Sequence, residues 1–293
     1  MCALPIWHRA MKLSCLPVSL YPDLASGRLT LPAWFELAAA LGLDGADLSV
    51  AHVASRSPAY LAELRRAAES AGVQIVMLAT YTDFTHPDAA ERQRQVEDLR
   101  AWIEAAARLG APFLRVTAGQ DHPGVEERDG LAWAAAGLSA CVDEAQAAGV
   151  RLLYENHVRG AYWRANDFTQ PAARFLEVVR RTEGSGLGVL FDTANPLALG
   201  DDPLALLEQV LGRVGAVHLS DIRRAGAFEP VVLGTGAAPI VELLRRLVAG
   251  GFDGWVSVEE ASRTGEEGLR RAVAYADRAW VEAGGPARRP GPA

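Results

Sequence analysis

Short apolar runs alternate with amphipathic helical stretches along almost the whole chain, eight times between residue 12 and about residue 284. Nearly every position of each run is apolar, which is typical of strands covered on both faces and therefore of a parallel sheet with helices outside it. Eight strand and helix pairs in strict alternation favour closure into a barrel over an open doubly wound sheet. We therefore predict an α/β fold, a single (β/α)8 TIM barrel over residues 11–284.

The two ends of the chain lie outside this repeat. Residues 1–10 are interpreted as an N-terminal extension, and residues 285–293, which are rich in Pro, Gly and Arg, are expected to form a disordered tail.

No stretch approaches the ~18 apolar residues of a membrane span, so no membrane association is expected. The three cysteines are widely spaced and fit neither a disulfide framework nor a structural zinc site, which favours a cytoplasmic location.

Composition disfavours several classes of function. The net charge of −7 would repel a phosphate backbone, so nucleic acid is not expected as a partner. Lys12 is the single lysine and begins the first strand, far from the strand ends where barrel active sites lie. A Schiff-base enzyme is therefore not expected, and the missing GxxxxGK[ST] motif argues against P-loop nucleotide chemistry.

The last four apolar runs each end in a side chain that can bind metal. The runs RLLYE, LGVLFD, VGAVH and WVSVE end at Glu155, Asp192, His218 and Glu259, at intervals of 37, 26 and 41 residues. Each interval fits one strand and its returning helix, and the ends of parallel barrel strands meet at one rim. Three carboxylates meeting there would repel one another unless a cation lies between them. The pattern predicts one divalent metal site, for Mn²⁺, Mg²⁺ or Co²⁺, with Zn²⁺ as a further option.

Each of these residues has an ordinary explanation when it is taken alone. Asp192 could form the turn of FDTANP, and His218 could be a hydrogen-bonded core histidine. Glu259 and Glu260 are adjacent, and strand alternation lets only one of them point into the barrel. We choose Glu259 because it directly follows Val258 at the strand end. A shared cation explains why all four types recur at equivalent positions of successive units.

Polar and aromatic side chains lie at or just past the strand ends, as a site for a sugar or polyol requires, and the candidates for substrate contact are His157, Asn195, Arg224, Arg115 and Trp163. Trp163 could equally pack within its loop. Arg115 could line the barrel mouth or neutralise the carboxylates. Asp221 could orient His218 or cap the following loop. The GTG segment at 234–236 is interpreted as a helix-entry turn, with a phosphate-binding loop as the alternative.

At these residues the chain resembles the sugar phosphate isomerase/epimerase superfamily, the xylose-isomerase-like TIM barrels that include ketose 3-epimerases, hydroxypyruvate isomerase and inosose and dehydroshikimate dehydratases. LLYENH, GVLFDTAN, AVHLSD and FDGWVSVEE look like strands five to eight of that family, in order and at similar spacing. The resemblance implies four metal ligands, Glu155, Asp192, His218 and Glu259. In the ketose epimerases of the family the two glutamates are also the acid/base pair. Their substrate-binding His after the metal Asp is replaced here by Asn195, whereas Arg224 matches their Arg after the metal His.

The resemblance implies a divalent-metal-dependent isomerase or epimerase that acts on a keto-sugar or related polyol through an enediolate. Glu155 and Glu259 are then the catalytic acid/base pair. A metal-dependent dehydratase is the alternative, since the same enediolate can expel a β-hydroxyl, and a non-catalytic sugar-binding barrel is a third. The DNA-repair branch, with three zinc ions, needs more histidines at the rim than the six in this chain can supply. The expected partner is a small sugar or polyol, and a homo-oligomer is left open.

Overall fold

Eight parallel strands form a nearly closed barrel with helices around it, so the predicted fold is confirmed. The structure is a computed structural model that describes residues 11–288. The strands are β1 (Lys12–Leu16), β2 (Gly45–Ser49), β3 (Gln74–Ala79), β4 (Phe113–Val116), β5 (Arg151–Glu155), β6 (Gly188–Asp192), β7 (Val214–Leu219) and β8 (Trp255–Glu259). The α-helices of the described chain are α1 (Tyr21–Ser26), α2 (Leu31–Ala40), α3 (Pro58–Ala71), α4 (Ala89–Leu109), α5 (Glu127–Ser139), α6 (Val142–Ala147), α7 (Ala172–Arg181), α8 (Pro203–Val210), α9 (Ile240–Ala249) and α10 (Gly265–Glu282).

Every strand from β2 to β8 pairs in parallel with the next, and β8 also pairs with β1. The remaining seam, between β1 and β2, is joined through Asp44. Its N–H donates to the Leu13 carbonyl at 2.9 Å, and its carboxylate accepts the Leu13 N–H at 2.8 Å. Because all strands run the same way around the barrel, their C-terminal ends form a single rim.

Helix boundaries follow local signals for the most part. Helix α3 begins at Pro58, and the preceding Ser57 caps it by accepting a hydrogen bond from the Tyr60 N–H. Gly72, whose φ is +79°, ends the helix. The helical chain between Glu127 and Ala147 is divided into α5 and α6. The backbone of Cys141 leaves the helical region there, and its side chain is buried. Within residues 11–288 no helix is both long and apolar enough to cross a bilayer.

The barrel interior is apolar near the N-terminal ends of the strands and polar near the rim. Leu153, Leu190 and Ala216 lie two positions before the predicted metal ligands of β5, β6 and β7, and they pack together with Trp255 and Met77. Side chains two apart on a strand point to the same side. An apolar plug therefore closes the barrel beneath the polar residues of the rim.

The C-terminal segment departs from expectation where the structure describes it. Residues 285–288 were expected in the disordered tail, but Arg288 forms ion pairs with Asp277 of α10 at 2.6 Å and with Asp44 at 2.8 Å. It also donates to the Gly42 carbonyl. The guanidinium has several N–H donors, which bond to acceptors on α10 and on the segment before β2 and so hold Arg288 against the barrel. The predicted extension 1–10 and residues 289–293 lie outside the described part of the chain.

Gly119, just past β4, should be among the least replaceable residues of the rim. Its φ of +136° disfavours any side chain, and a Cβ there would overlap Thr85 Oγ1 and lie 2.8 Å from the Thr85 N. We expect Gly119→Ala to lower the free energy of unfolding by about 3 kcal/mol, measured by urea denaturation.

Gly124→Ala is the matched control, since Gly124 also has a positive φ, +80°, but nothing lies within 4 Å of its Cβ position. Only the backbone strain applies there, so a loss of about 1 kcal/mol is expected. If both variants lost the same free energy of unfolding, the steric overlap at Gly119 would contribute nothing, and the prediction would be wrong.

Candidate metal centre

The side chains of Glu155, Asp192, His218 and Glu259 meet at the C-terminal rim of the barrel. Each offers a ligand atom, and all four atoms lie within 4.8 Å of one another. They stand on the last residues of β5, β6 and β8 and the next-to-last residue of β7. Glu260 turns away from them, as strand alternation predicts, and its carboxylate accepts the Ser262 N–H at 3.0 Å.

His218 lies between the two glutamates. Its Nδ1 is 2.9 Å from Glu155 Oε1 and 2.9 Å from Glu259 Oε2. Glu155, Asp192 and His218 are buried, whereas the Glu259 side chain is 24% exposed. The second oxygen of Glu155 accepts a hydrogen bond from buried Arg115 at 3.0 Å. Solvent therefore reaches the Glu259 carboxylate, whereas the other three side chains of the cluster are shielded from it.

The charges of the cluster perturb one another strongly. Burial opposes ionisation of Glu155, but Arg115 and His218 outweigh it and lower the pKa of Glu155 to about 2. Burial and the negative charges of Glu259 and Glu155 raise the pKa of Asp192 well above its usual value. Burial lowers the pKa of His218, but the same two carboxylates outweigh it and raise that pKa well above the usual value. Without a cation the cluster therefore retains protons that a divalent ion would replace.

Asp192 is oriented as a metal ligand would be. Its Oδ1 accepts the N–H groups of Ala194 at 2.9 Å and Asn195 at 2.7 Å and the Ser220 hydroxyl at 2.8 Å. Its Oδ2 is buried and has no hydrogen-bond partner among the described residues. A buried carboxylate oxygen is costly to leave unpaired. Three carboxylates and one imidazole form a donor set that suits a divalent cation, so the cluster can hold one.

A narrow cleft, partly open to solvent, leads to the cluster. Two of the sequence-predicted substrate contacts, His157 and Asn195, line it together with Asp192 and Glu259. His157 Nδ1 also lies 3.4 Å from buried Asp167 Oδ2. Substrate binding by His157 and Asn195 stays a prediction, for which these positions are suitable.

The other three predicted contacts do not line the cleft. Arg115 is buried against Glu155, so of its two proposed roles the structure shows the neutralising one. Trp163 is buried and packs edge-on against the His157 ring, with centroids 5.4 Å apart, which is the loop-packing alternative. Arg224 points outward: its side chain is 71% exposed and lies 3.3 Å from Glu229. The loop after β7 directs Arg224 away from the cluster, so the structure does not bring Arg224 together with the other predicted site residues.

Asp221 caps the following loop and does not contact His218. Its carboxylate accepts the N–H groups of Gly234, Gly236 and Ala238 at 3.0, 2.7 and 3.0 Å. The GTG segment therefore uses its N–H donors internally, as a helix-entry turn does.

Sequence reasoning missed Arg159 and Phe228, which also line the cleft. Arg159 could have been found, because it follows His157 by two residues and a charge just past a barrel strand end is a signal of its own. Phe228 has no such signal, because it lies ten residues past His218 in a long irregular loop whose path local sequence does not fix.

Comparison with known proteins agrees with the observed fold. Residues 35–279 match the family model described as xylose isomerase-like TIM barrel. A protein named "Putative hydroxypyruvate isomerase" from Streptomyces coelicolor is 30% identical over 235 residues, which cover 76% of this chain and 82% of that protein. An inosose dehydratase from Lacticaseibacillus casei is 24% identical over 141 residues, 43% of this chain and 45% of that protein.

Among solved structures, D-psicose 3-epimerase in the presence of D-fructose superposes with a TM-score of 0.71 at 18% identity, covering 92% of this chain and 99% of that one. At that identity the likeness concerns the fold alone. The family model covers most of the chain, and its fold is the one observed. This chain therefore belongs to the xylose isomerase-like TIM-barrel family.

Proposed function

We propose that the protein is a divalent-metal-dependent isomerase or epimerase of a keto-sugar or a related small polyol derivative. The observation that carries the proposal is the pair of glutamates that approach one histidine nitrogen from β5 and β8, each at 2.9 Å, at the end of a cleft. The Streptomyces relative, named as a hydroxypyruvate isomerase, matches most of the chain and supports this class of reaction.

The ion would be held by Glu155, Asp192, His218 and Glu259, and when bound it would polarise a substrate carbonyl and so acidify the neighbouring C–H. Glu259 lines the cleft and is partly exposed, so it can reach a substrate proton. Glu155 is kept ionised by Arg115 and is ready to accept one. One glutamate can remove this proton, and the other, if protonated at the start, can deliver a proton of its own.

The position of proton return decides the reaction. Strands β5 and β8 lie three positions apart around the barrel, so Glu155 and Glu259 reach the cluster from different sides. Return of the proton to the opposite face of the same carbon gives epimerisation, and return to the neighbouring carbon gives aldose–ketose isomerisation. His157 and Asn195 line the cleft, which supports a role for them in hydrogen-bonding substrate hydroxyls and so in fixing which carbon lies between the glutamates.

A dehydratase is the second candidate, and the match to the inosose dehydratases favours it. The first step, removal of a proton next to a carbonyl, is the same. The enediolate then expels a β-hydroxyl as water, for which one protonated glutamate serves as the general acid. Both reactions use the same residues, so the product must distinguish them.

Glu155→Gln and Glu259→Gln should each reduce turnover by about 10²–10⁴-fold, because each removes one proton-transfer group. The rate is measured with the best substrate of a ketose, hydroxypyruvate and inosose panel. Glu260→Gln is the control, since this neighbouring glutamate faces away and its amide oxygen can still accept the Ser262 N–H. Near-normal turnover in both cluster variants would contradict the acid/base assignment.

Mn²⁺, Mg²⁺, Co²⁺ or Zn²⁺ should stabilise the chelator-treated protein, by about 2.7 kcal/mol at an ion concentration of 100 times the Kd. Asp192→Asn should weaken this effect strongly, whereas Glu229→Gln removes one exposed charge away from the cluster and should not. Thermal unfolding with and without ion measures both. A wild-type protein that no ion stabilises would contradict the metal centre.

Metal affinity should rise with pH. The raised pKa values of His218 and Asp192 mean that the metal-free cluster carries protons, and these must leave when both side chains become ligands. Calorimetry at several pH values, in two buffers of different ionisation enthalpy, should show protons released on binding. Affinity independent of pH, with no proton release, would contradict ligation by these residues.

Incubation with the substrate panel in D₂O should separate the two reactions. An isomerase incorporates deuterium at carbon without loss of water, whereas a dehydratase yields a product lighter by one water, and NMR and mass spectrometry detect both. Binding of a sugar without exchange or water loss in the metal-loaded protein would instead support a non-catalytic barrel.

A further inference from the structure

Asp47, in the middle of β2, is a buried carboxylate inside the barrel. One of its oxygens, Oδ2, accepts hydrogen bonds from Ser14 Oγ at 3.1 Å and from Ser257 Oγ. Its other oxygen, Oδ1, is buried with no hydrogen-bond partner, and within residues 11–288 no Arg or Lys forms an ion pair with Asp47. A half-satisfied buried carboxylate destabilises a fold, so a further role should account for it.

Strand register places Asp47 in the layer of His218. Ser257 pairs with His218 on one side and with Ser14 on the other. Paired residues of parallel strands point to the same side, and both serines reach Asp47, so all three side chains enter the barrel. Glu259, which His218 Nδ1 contacts, lies two residues nearer the rim than Ser257. The two serines and Asp47 therefore lie at the level of His218, one layer below Glu259.

His218 Nε2 is itself buried and has no hydrogen-bond partner among the described residues. One layer of the barrel interior thus contains a buried ring nitrogen that needs an acceptor and a buried carboxylate oxygen that needs a donor. Their needs are complementary, and the negative charge of Asp47 is suited to the N–H of an imidazole.

We propose that Asp47 is a positioning residue of the metal centre, which accepts the Nε2–H of His218 and thereby keeps the Nδ1 lone pair directed at the cluster. A histidine that binds metal through one nitrogen usually donates the other N–H to a carboxylate or carbonyl, which fixes the tautomer and the ring orientation. The inference rests on the metal centre of the proposed function and is independent of which reaction that centre performs.

The test compares wild type, Asp47→Asn and Asp47→Ala, loaded with diamagnetic Zn²⁺, by ¹⁵N NMR of labelled histidine. The wild type should show His218 protonated at Nε2, with an NOE from that proton to the Asp47 β-protons. Both variants should shift or lose the Nε2–H resonance. Calorimetry should show their Mn²⁺ affinity reduced about 10–100-fold, the effect expected when such a partner of a metal ligand is removed.

Asp44→Asn is the matched control. It makes the same change of charge in the segment leading into β2 and weakens the β1–β2 seam, but Asp44 contacts Leu13 and Arg288 and not the cluster. It should lower thermal stability and leave the His218 resonance and the Mn²⁺ affinity unchanged. Equal losses of affinity in Asp44→Asn and Asp47→Asn would assign Asp47 a merely structural role at the seam.

The outcomes separate this inference from the proposed function. Variants that unfold more easily but keep the Nε2–H resonance and bind Mn²⁺ within about twofold of wild type contradict the role of Asp47 alone. If neither variant folds, the wild type alone provides the test. A wild-type His218 Nε2–H resonance without an NOE to the Asp47 β-protons would contradict the role of Asp47. Metal binding without turnover on any substrate contradicts only the proposed reaction, and a wild type that binds no divalent ion contradicts both.

Discussion

Electrostatic repulsion among three carboxylates at one rim of the barrel is the constraint on which the rest of the site depends. The described chain answers it with two cations, His218 between the glutamates and Arg115 behind Glu155. Asp192 receives no such partner, and one of its oxygens remains buried and unpaired. A divalent ion would remove this imbalance, because it attracts all three carboxylates at once.

The barrel supports this arrangement by separating apolar and polar layers. Beneath the cluster, Leu153, Leu190 and Ala216 belong to an apolar plug. The polar layer of Ser14, Ser257 and Asp47 lies beside His218, between the plug and the rim. Buried charges without water depend on fixed neighbours for their stabilisation. Rigid strands supply such neighbours more accurately than loops, so the ligands stand on strands while the cleft walls come from loops.

The two glutamates are chemically unequal although their types and positions in the sequence are alike. Glu155 is buried and fixed by Arg115, whereas Glu259 is partly exposed at the cleft. In the proposed reaction this difference fixes Glu155 beside Arg115 and gives Glu259 access to the substrate. It is also compatible with elimination, so the residues at the cluster alone do not distinguish an isomerase from a dehydratase, and both kinds of enzyme occur among the relatives.

The sequence by itself determined the barrel and the four converging residues. The alternation of apolar runs and helices predicts parallel strands, and the ends of parallel strands meet at one rim, where these residues stand. Only the tertiary structure decided which way the surrounding side chains turn. Arg115 turns inward to Glu155, Arg224 turns outward to Glu229, and Asp221 caps a loop. Asp47 became visible only in three dimensions, because its partners Ser14 and Ser257 lie 33 and 210 residues away and contacts so distant leave no periodic trace in the chain.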